Sequence, residues 1–115
     1  MKFIIAVVQP DRLDAVLDAL AEKDVHLVTV TQVIGRGRQK GTAEVYRGHK
    51  EVGSLIRKVK LEIGVNDEYV EPAIEAIASN ARVGEGSIGD GKIFVLNLDE
   101  CIRIRTGEKG PGAIG

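Results

Sequence analysis

Aromatic side chains are scarce in this chain: two Phe, two Tyr and no Trp make up 3% of its 115 residues. Base stacking along a groove is therefore excluded as the main mode of partner binding. The aromatic strand motif that an RNA-binding module of this size would need is missing too. A single cysteine, Cys101, excludes an internal disulfide framework and fits a reducing compartment. Net charge is only −1, which argues against a general nucleic-acid or membrane-surface binder. No apolar run approaches the ~20 residues of a membrane span. Phe3 to Val8 is too short for a signal segment and ends at Gln9-Pro10. These absences predict a cytoplasmic protein.

What the chain does have is aliphatic: apolar residues reach 43%, mostly Ile, Val, Leu and Ala, enough for one domain with a small core. Lys2 to Gln9 reads as a central strand rich in β-branched residues. After a candidate N-cap at Asp11, Leu13, Val16, Leu17 and Leu20 recur at helical spacing, and Asp24 marks the exit. Val25 to Ile34 and Leu55 to Val65 alternate as strands. A second helix starts near Asn66-Asp67, with Tyr69, Val70, Ala73, Ile74 and Ile77 as its stripe, fading at Asn80. Lys92 to Leu98 is a fourth strand, and Cys101 to Arg105 a short strand or extended tail. The order β-α-β-loop-β-α-β predicts an α+β, ferredoxin-like fold: a four-stranded antiparallel sheet with both helices on one face. The other face would be partly apolar and need cover, for which three packed copies are one solution.

Positive charge is local rather than general. Val33 to Lys58 holds five Gly and seven Lys/Arg without apolar periodicity. Its opening, Gly35-Arg36-Gly37-Arg38-Gln39-Lys40-Gly41, would let backbone approach an anion closely while cations neutralise it. A long loop in a compact domain is usually functional or disordered. A second glycine loop, Arg82 to Gly91, ends in Gly89-Asp90-Gly91-Lys92 and offers exposed N–H groups beside a point charge. It is not a P-loop, having no Gly-Lys-Ser/Thr and leading into a strand, and a glycine hairpin with a surface lysine fits the same residues. Arg103 and Arg105 flank Ile104 and would project to one side, as polyphosphate recognition needs, although two solvated arginines on an edge strand are the simpler reading of that stretch alone. Catalysis has little support. Ser54, Ser79 and Ser87 lack a nucleophile setting, and His26 and His49 have no metal-site spacing. Cys101 reads as a buried thiol, and Asp90 as a turn residue before a metal ligand.

Taken together, Gly35-x-Gly37-Arg38-Gln39-Lys40-Gly41, Glu44-x-Tyr46-Arg47-Gly48, Lys58-Val59-Lys60, the block Ile88 to Val95 and the block Ile102 to Glu108 resemble the PII nitrogen-regulatory signalling family over nearly the whole chain. The resemblance implies a homotrimer with a T-loop at about 37–55, a B-loop at about 82–91 and a C-terminal loop at about 101–115. It implies a non-catalytic sensor that binds ATP or ADP in clefts between subunits. Nucleotide would meet Thr29, Gly35, Gly37, Arg38, Gly64, Gly89, Asp90, Gly91, Lys92, Arg103 and Arg105. With Mg²⁺ and ATP, 2-oxoglutarate would be held by Gln39, Lys40, Gly41 and Lys58, Gln39 also ligating the metal. Ligand-driven ordering of the T-loop would choose the partner: an ammonium channel, a nitrogen-assimilation enzyme or a transcription regulator, with no direct nucleic-acid contact. Any membrane association would come through a channel partner.

Four departures are visible. Glu51 stands where the family carries its modifiable tyrosine, so uridylylation there is excluded, and His49 replaces the serine phosphorylated in some members. Gln9 replaces a lysine frequent before the first proline, removing one charge near the oxoacid pocket. The B-loop is longer by about two residues on motif spacing. An alternative is a PII-like sensor of adenine nucleotide with another small ligand such as bicarbonate; Gln39 and Lys58 favour 2-oxoglutarate.

Overall fold

A computed structural model describes residues 1–37, 45–46, 49–50 and 55–115. Strand β1 (Lys2–Val8) leads through a 3-10 turn at Pro10–Arg12 into helix α1 (Leu13–Glu22). Strand β2 (Thr29–Arg36) and the long β5 (Leu55–Val65) flank two short strands, β3 (Val45–Tyr46) and β4 (His49–Lys50). A second 3-10 turn, Asp67–Tyr69, opens α2 (Val70–Ala81), and β6 (Gly91–Asn97) closes the sheet. The four main strands are ordered β2-β5-β1-β6 and are antiparallel throughout. That is the ferredoxin-like arrangement expected from the element order.

Alternation decides which face is buried. Ile4, Ala6 and Val8 of β1 and Val59, Leu61, Ile63 and Val65 of β5 point to the helices and are buried. Val16 and Leu20 of α1 meet them with Ala73, Ala76, Ile77 and Ala81 of α2. The alanines keep α2 close to both α1 and the sheet; Ala76 and Ala81 extend the stripe read from the sequence. Pro72 is the third residue of α2, where its missing N–H costs no intrahelical bond.

The second strand begins four residues later than the alternation suggests, and the helix end explains why. Asp24 adopts φ +62°; its N–H donates to Ala21 O at 3.0 Å, and Val25 N–H reaches back to Leu20 O at 2.9 Å. This is a Schellman motif, sealed by contact between buried Val25 and Leu20. It consumes Val25, and pairing with β5 starts only at Thr29. The helix starts differ as well. Asp11 falls inside the first 3-10 turn and makes no side-chain cap, and α1 begins at Leu13. Within the central loop, Val45 and Tyr46 pair with Lys50 and His49, a ladder not expected there; both Val and Tyr favour strands.

Register places Phe3, Ile5 and Val7 opposite Leu96, Phe94 and Lys92 on the face away from the helices. On β5 the same face carries Lys60 and Glu62, paired at 3.7 Å. Phe94 and Leu96 remain about half exposed in the single chain. The cover expected for that face is therefore still required.

Candidate functional site

Three elements meet at one end of the sheet: the end of β1, the middle of β5 and the loop between α2 and β6. Gly91 forces the loop against the strand. Its φ is +121°, and a Cβ there would lie 1.9 Å from Val7 O, so only glycine lets Gly91 pair with Val8. Asp90 folds the loop from within: its Oδ2 accepts from Ser87 N–H at 2.7 Å and Val83 N–H at 3.2 Å. The turn-stabilising reading of Asp90 is thus what the geometry contains. Arg12 fixes the other end of the loop, its Nε donating to Asn80 O at 3.0 Å and its guanidinium to Arg82 O at 3.1 Å. These bonds satisfy carbonyls that the end of α2 leaves open.

Gly89 lies at the centre of this arrangement. Lys58 Nζ donates to Gly89 O at 2.8 Å, and Gln9 Nε2 donates to the same oxygen at 3.1 Å. Gly35 sits beside Lys58, since a Cβ added to it would touch the lysine Cγ at 3.5 Å. A cleft of about 420 Å³ opens next to Lys58, bounded by Pro10, Gln32, Ile34 and Arg57. A second, of about 250 Å³, runs under the loop between Ile77, Ala81, Arg82 and Lys92. Gly35, Lys58, Gly89, Asp90, Gly91 and Lys92 therefore share one end of the sheet, with Gly37 beyond the end of β2.

Thr29 and Gly64 lie elsewhere. From Lys58 to Gly64, β5 advances six residues, about 20 Å at the usual strand rise. There Thr29, Glu62 and Gly64 border a cleft of about 460 Å³ with Phe3, Cys101 and Ile114. Cys101 is only partly buried and lines this cleft, rather than sitting inert in the core.

Arg103 and Arg105 do not lie on a strand. Only Ile102 bridges, to Lys109, and the chain turns over at Ile104–Thr106, with Gly107 N–H donating to Arg103 O at 2.7 Å. The turn at Ile104–Thr106 breaks the alternation that a shared face needs, and Gly107, at φ +74°, leads the chain out of it. Arg103 turns onto its own tail: it pairs with Glu108 at 2.7 Å and donates to Gly112 O at 2.9 Å and Gly115 O at 2.6 Å. Arg105 is exposed. Arg38, Gln39, Lys40 and Gly41 lie outside the described residues, as do Glu51 and the side chain of His49. Among the described residues no cluster of His, Cys, Asp and Glu could hold a metal, and no helix is long and apolar enough to cross a membrane.

Residues 1–108 match the family described as Nitrogen regulatory protein P-II. The chain belongs to the P-II family. Relatives span the same length. The Nitrogen regulatory protein GlnK1 of Methanosarcina mazei is 51% identical over 99% of this chain and 97% of its own. The Nitrogen regulatory protein P-II of Bradyrhizobium diazoefficiens is 52% identical over 99% of this chain and all of its own. A P-II 2 protein of Methanothermobacter thermautotrophicus reaches 48% over 99% of this chain. Sequence reasoning read Arg12 only as a polar residue of the first helix and missed its hold on Asn80 O and Arg82 O. Gln9 it noticed only as a missing charge. An amide next to Pro10 at a strand end was the available signal, but its partner lies 80 residues away.

Proposed function

We propose that this P-II chain is a non-catalytic signalling protein that senses ATP or ADP together with 2-oxoglutarate and acts on nitrogen-metabolism targets through residues 37–55. The observation that carries the reading is the 2.8 Å bond between Lys58 and Gly89. The cation assigned to the oxoacid touches the loop assigned to the phosphates, so the two ligands would be neighbours and each would feel the other.

The proposed nucleotide residues are divided between opposite edges of the sheet. Thr29, Gly35 and Gly37 follow the β2 edge, whereas Gly91 and Lys92 begin the β6 edge. One ligand meets both sets when the β2 edge of one protomer faces the β6 edge of the next, which a closed ring of identical chains provides. Three copies would also cover Phe94 and Leu96. Within such a cleft, Gly89 to Gly91 would present N–H groups, and Lys92, Arg103 and Arg105 would supply charge. Arg38 would join them from the neighbouring edge. A 2-oxo dicarboxylate would pair with Lys58 and with amides of Gln39 to Gly41, and Mg²⁺ would be held by Gln39, phosphate and oxoacid oxygens. Ordering of residues 37–55 by these ligands then changes which protein they fit, an ammonium channel or a nitrogen-assimilation enzyme among them. With Glu51 at the modification position, control rests on ligands alone.

Titration calorimetry tests this directly. ADP and Mg-ATP are expected to bind without 2-oxoglutarate, and 2-oxoglutarate only in the presence of Mg-ATP. Absence of oxoacid heat with Mg-ATP present, or a monomer by light scattering, defeats the reading.

A further inference from the structure

Gln9 belongs to neither set of ligand residues, yet its side chain ends on the loop that serves both. Its backbone is anchored: it follows β1, sits at φ −70° and ψ 142° ahead of Pro10, and accepts Arg12 N–H at 3.0 Å. From this fixed base the amide reaches Gly89 O at 3.1 Å, while Lys58 reaches the same atom at 2.8 Å. A carbonyl oxygen has two lone pairs, so these donors saturate it. The two are unlike in what else they can do. Lys58 carries a full charge and three donors and can engage a carboxylate, whereas the amide is neutral and holds no claim on an anion. Gly89 stands at φ +99°, so the orientation of its peptide depends on what grips that carbonyl.

We propose that Gln9 is a positioning residue that keeps the Gly89 carbonyl bonded when Lys58 turns to an acidic ligand. The inference rests on the nucleotide-plus-oxoacid reading above. Were Lys58 the sole donor, a dicarboxylate would capture it only by stripping a part-buried carbonyl of its partner, and the phosphate loop would relax as the oxoacid bound. With Gln9 in place, the loop keeps one bond wherever Lys58 points. A neutral side chain at this position thus preserves the shape of the B-loop without competing with Lys58 for the carboxylate.

The test uses full-length Gln9→Leu, which keeps bulk and removes the donor, and Gln9→Lys, which restores a donor on a long stem. Hydrogen exchange of residues 87–92 is followed in ligand-free protein, with ADP affinity and 2-oxoglutarate affinity at saturating Mg-ATP measured alongside. Gln9→Leu is expected to speed loop exchange about five-fold, weaken ADP about two- to five-fold and weaken 2-oxoglutarate about five- to ten-fold, the loss of one hydrogen bond. Gln9→Lys is expected to recover loop exchange and ADP affinity, a rescue that lost packing alone would not produce. Wild-type exchange and affinities in Gln9→Leu, or equal losses in both variants, overturn the assignment of Gln9. Wild-type protein that binds no nucleotide overturns the reading beneath it.

Discussion

Replacing Gly91 by alanine should damage this protein far more than the same change at Gly112. The new Cβ would stand 1.9 Å from Val7 O and 3.0 Å from Val7 C, both backbone atoms that no rotamer change can move. At φ +121° an L-residue is also strained, by about 1–3 kcal/mol. Relief requires the start of β6 to peel from β1, losing one or two ladder bonds at about 1 kcal/mol each. The sum is about 2–5 kcal/mol, a large part of the ~5–15 kcal/mol typical of a domain. At a per-residue unfolding entropy of ~2.1 cal/mol/K, that lowers the melting temperature by roughly 8–20 °C. Gly112→Ala is the informative control. Its Cβ would meet Glu108 Oε2 at 2.7 Å, nominally also a clash, but the atom is the tip of a flexible side chain. Its cost is expected to stay below about 1 kcal/mol. Thermal melts at one fixed protein concentration, since an oligomer's midpoint depends on concentration, compare the three proteins. Gly91→Ala melting within about 3 °C of wild type, or losing no more than Gly112→Ala, refutes the reasoning.

Asp24 holds a left-handed conformation at the end of α1 that glycine adopts without penalty. Asp24→Gly is expected to stabilise the protein by up to about 1 kcal/mol in urea denaturation, because the 3.9 Å pairing with His26 that it sacrifices is exposed and weak. Asp67 supplies a pH test. The Met1 ammonium, bonded to it at 2.8 Å, holds its carboxyl below the ordinary 3.8, with a smaller pull from Lys2. A lowered folded-state value means stability that is present above the unfolded value and lost as pH falls through the folded one. Wild type should therefore lose more stability than Asp67→Asn on acidification below 3.8, by a small margin that added salt removes. Identical acid limbs for the two proteins contradict this.

Most of the fold was legible in the sequence, because period-two and period-3.6 patterns are local. Lys58, Lys60 and Glu62 alternate with Val59, Leu61 and Ile63, and Leu13, Val16, Leu17 and Leu20 recur at helical spacing. Both patterns led to the right elements. What went astray was punctuation. Val25 looks like the first residue of a strand yet belongs to the helix seal, and only the bond from its N–H to Leu20 O distinguishes the two. The tail is a similar case: Ile102-Arg103-Ile104-Arg105 alternates like a strand, but the turn at Ile104–Thr106 breaks it. In the candidate site, glycines and cations were readable as residue types, and the motif blocks pointed to the family. Their convergence was not readable. Gln9, Lys58 and Gly89 meet only because the sheet sets the end of β1 and the loop before β6 beside the middle of β5, and no stretch of sequence shorter than the whole sheet contains that fact.

The guanidinium of Arg103 already has an anion. Glu108 at 2.7 Å and two tail carbonyls occupy it before any phosphate arrives, and Asn66 fastens the same tail at Pro111 O, 3.1 Å away. If Arg103 takes phosphate as proposed, that anion would have to share the guanidinium with Glu108 or displace it, and the grip on Gly112 O and Gly115 O would be lost only so far as the side chain turned away from its own tail.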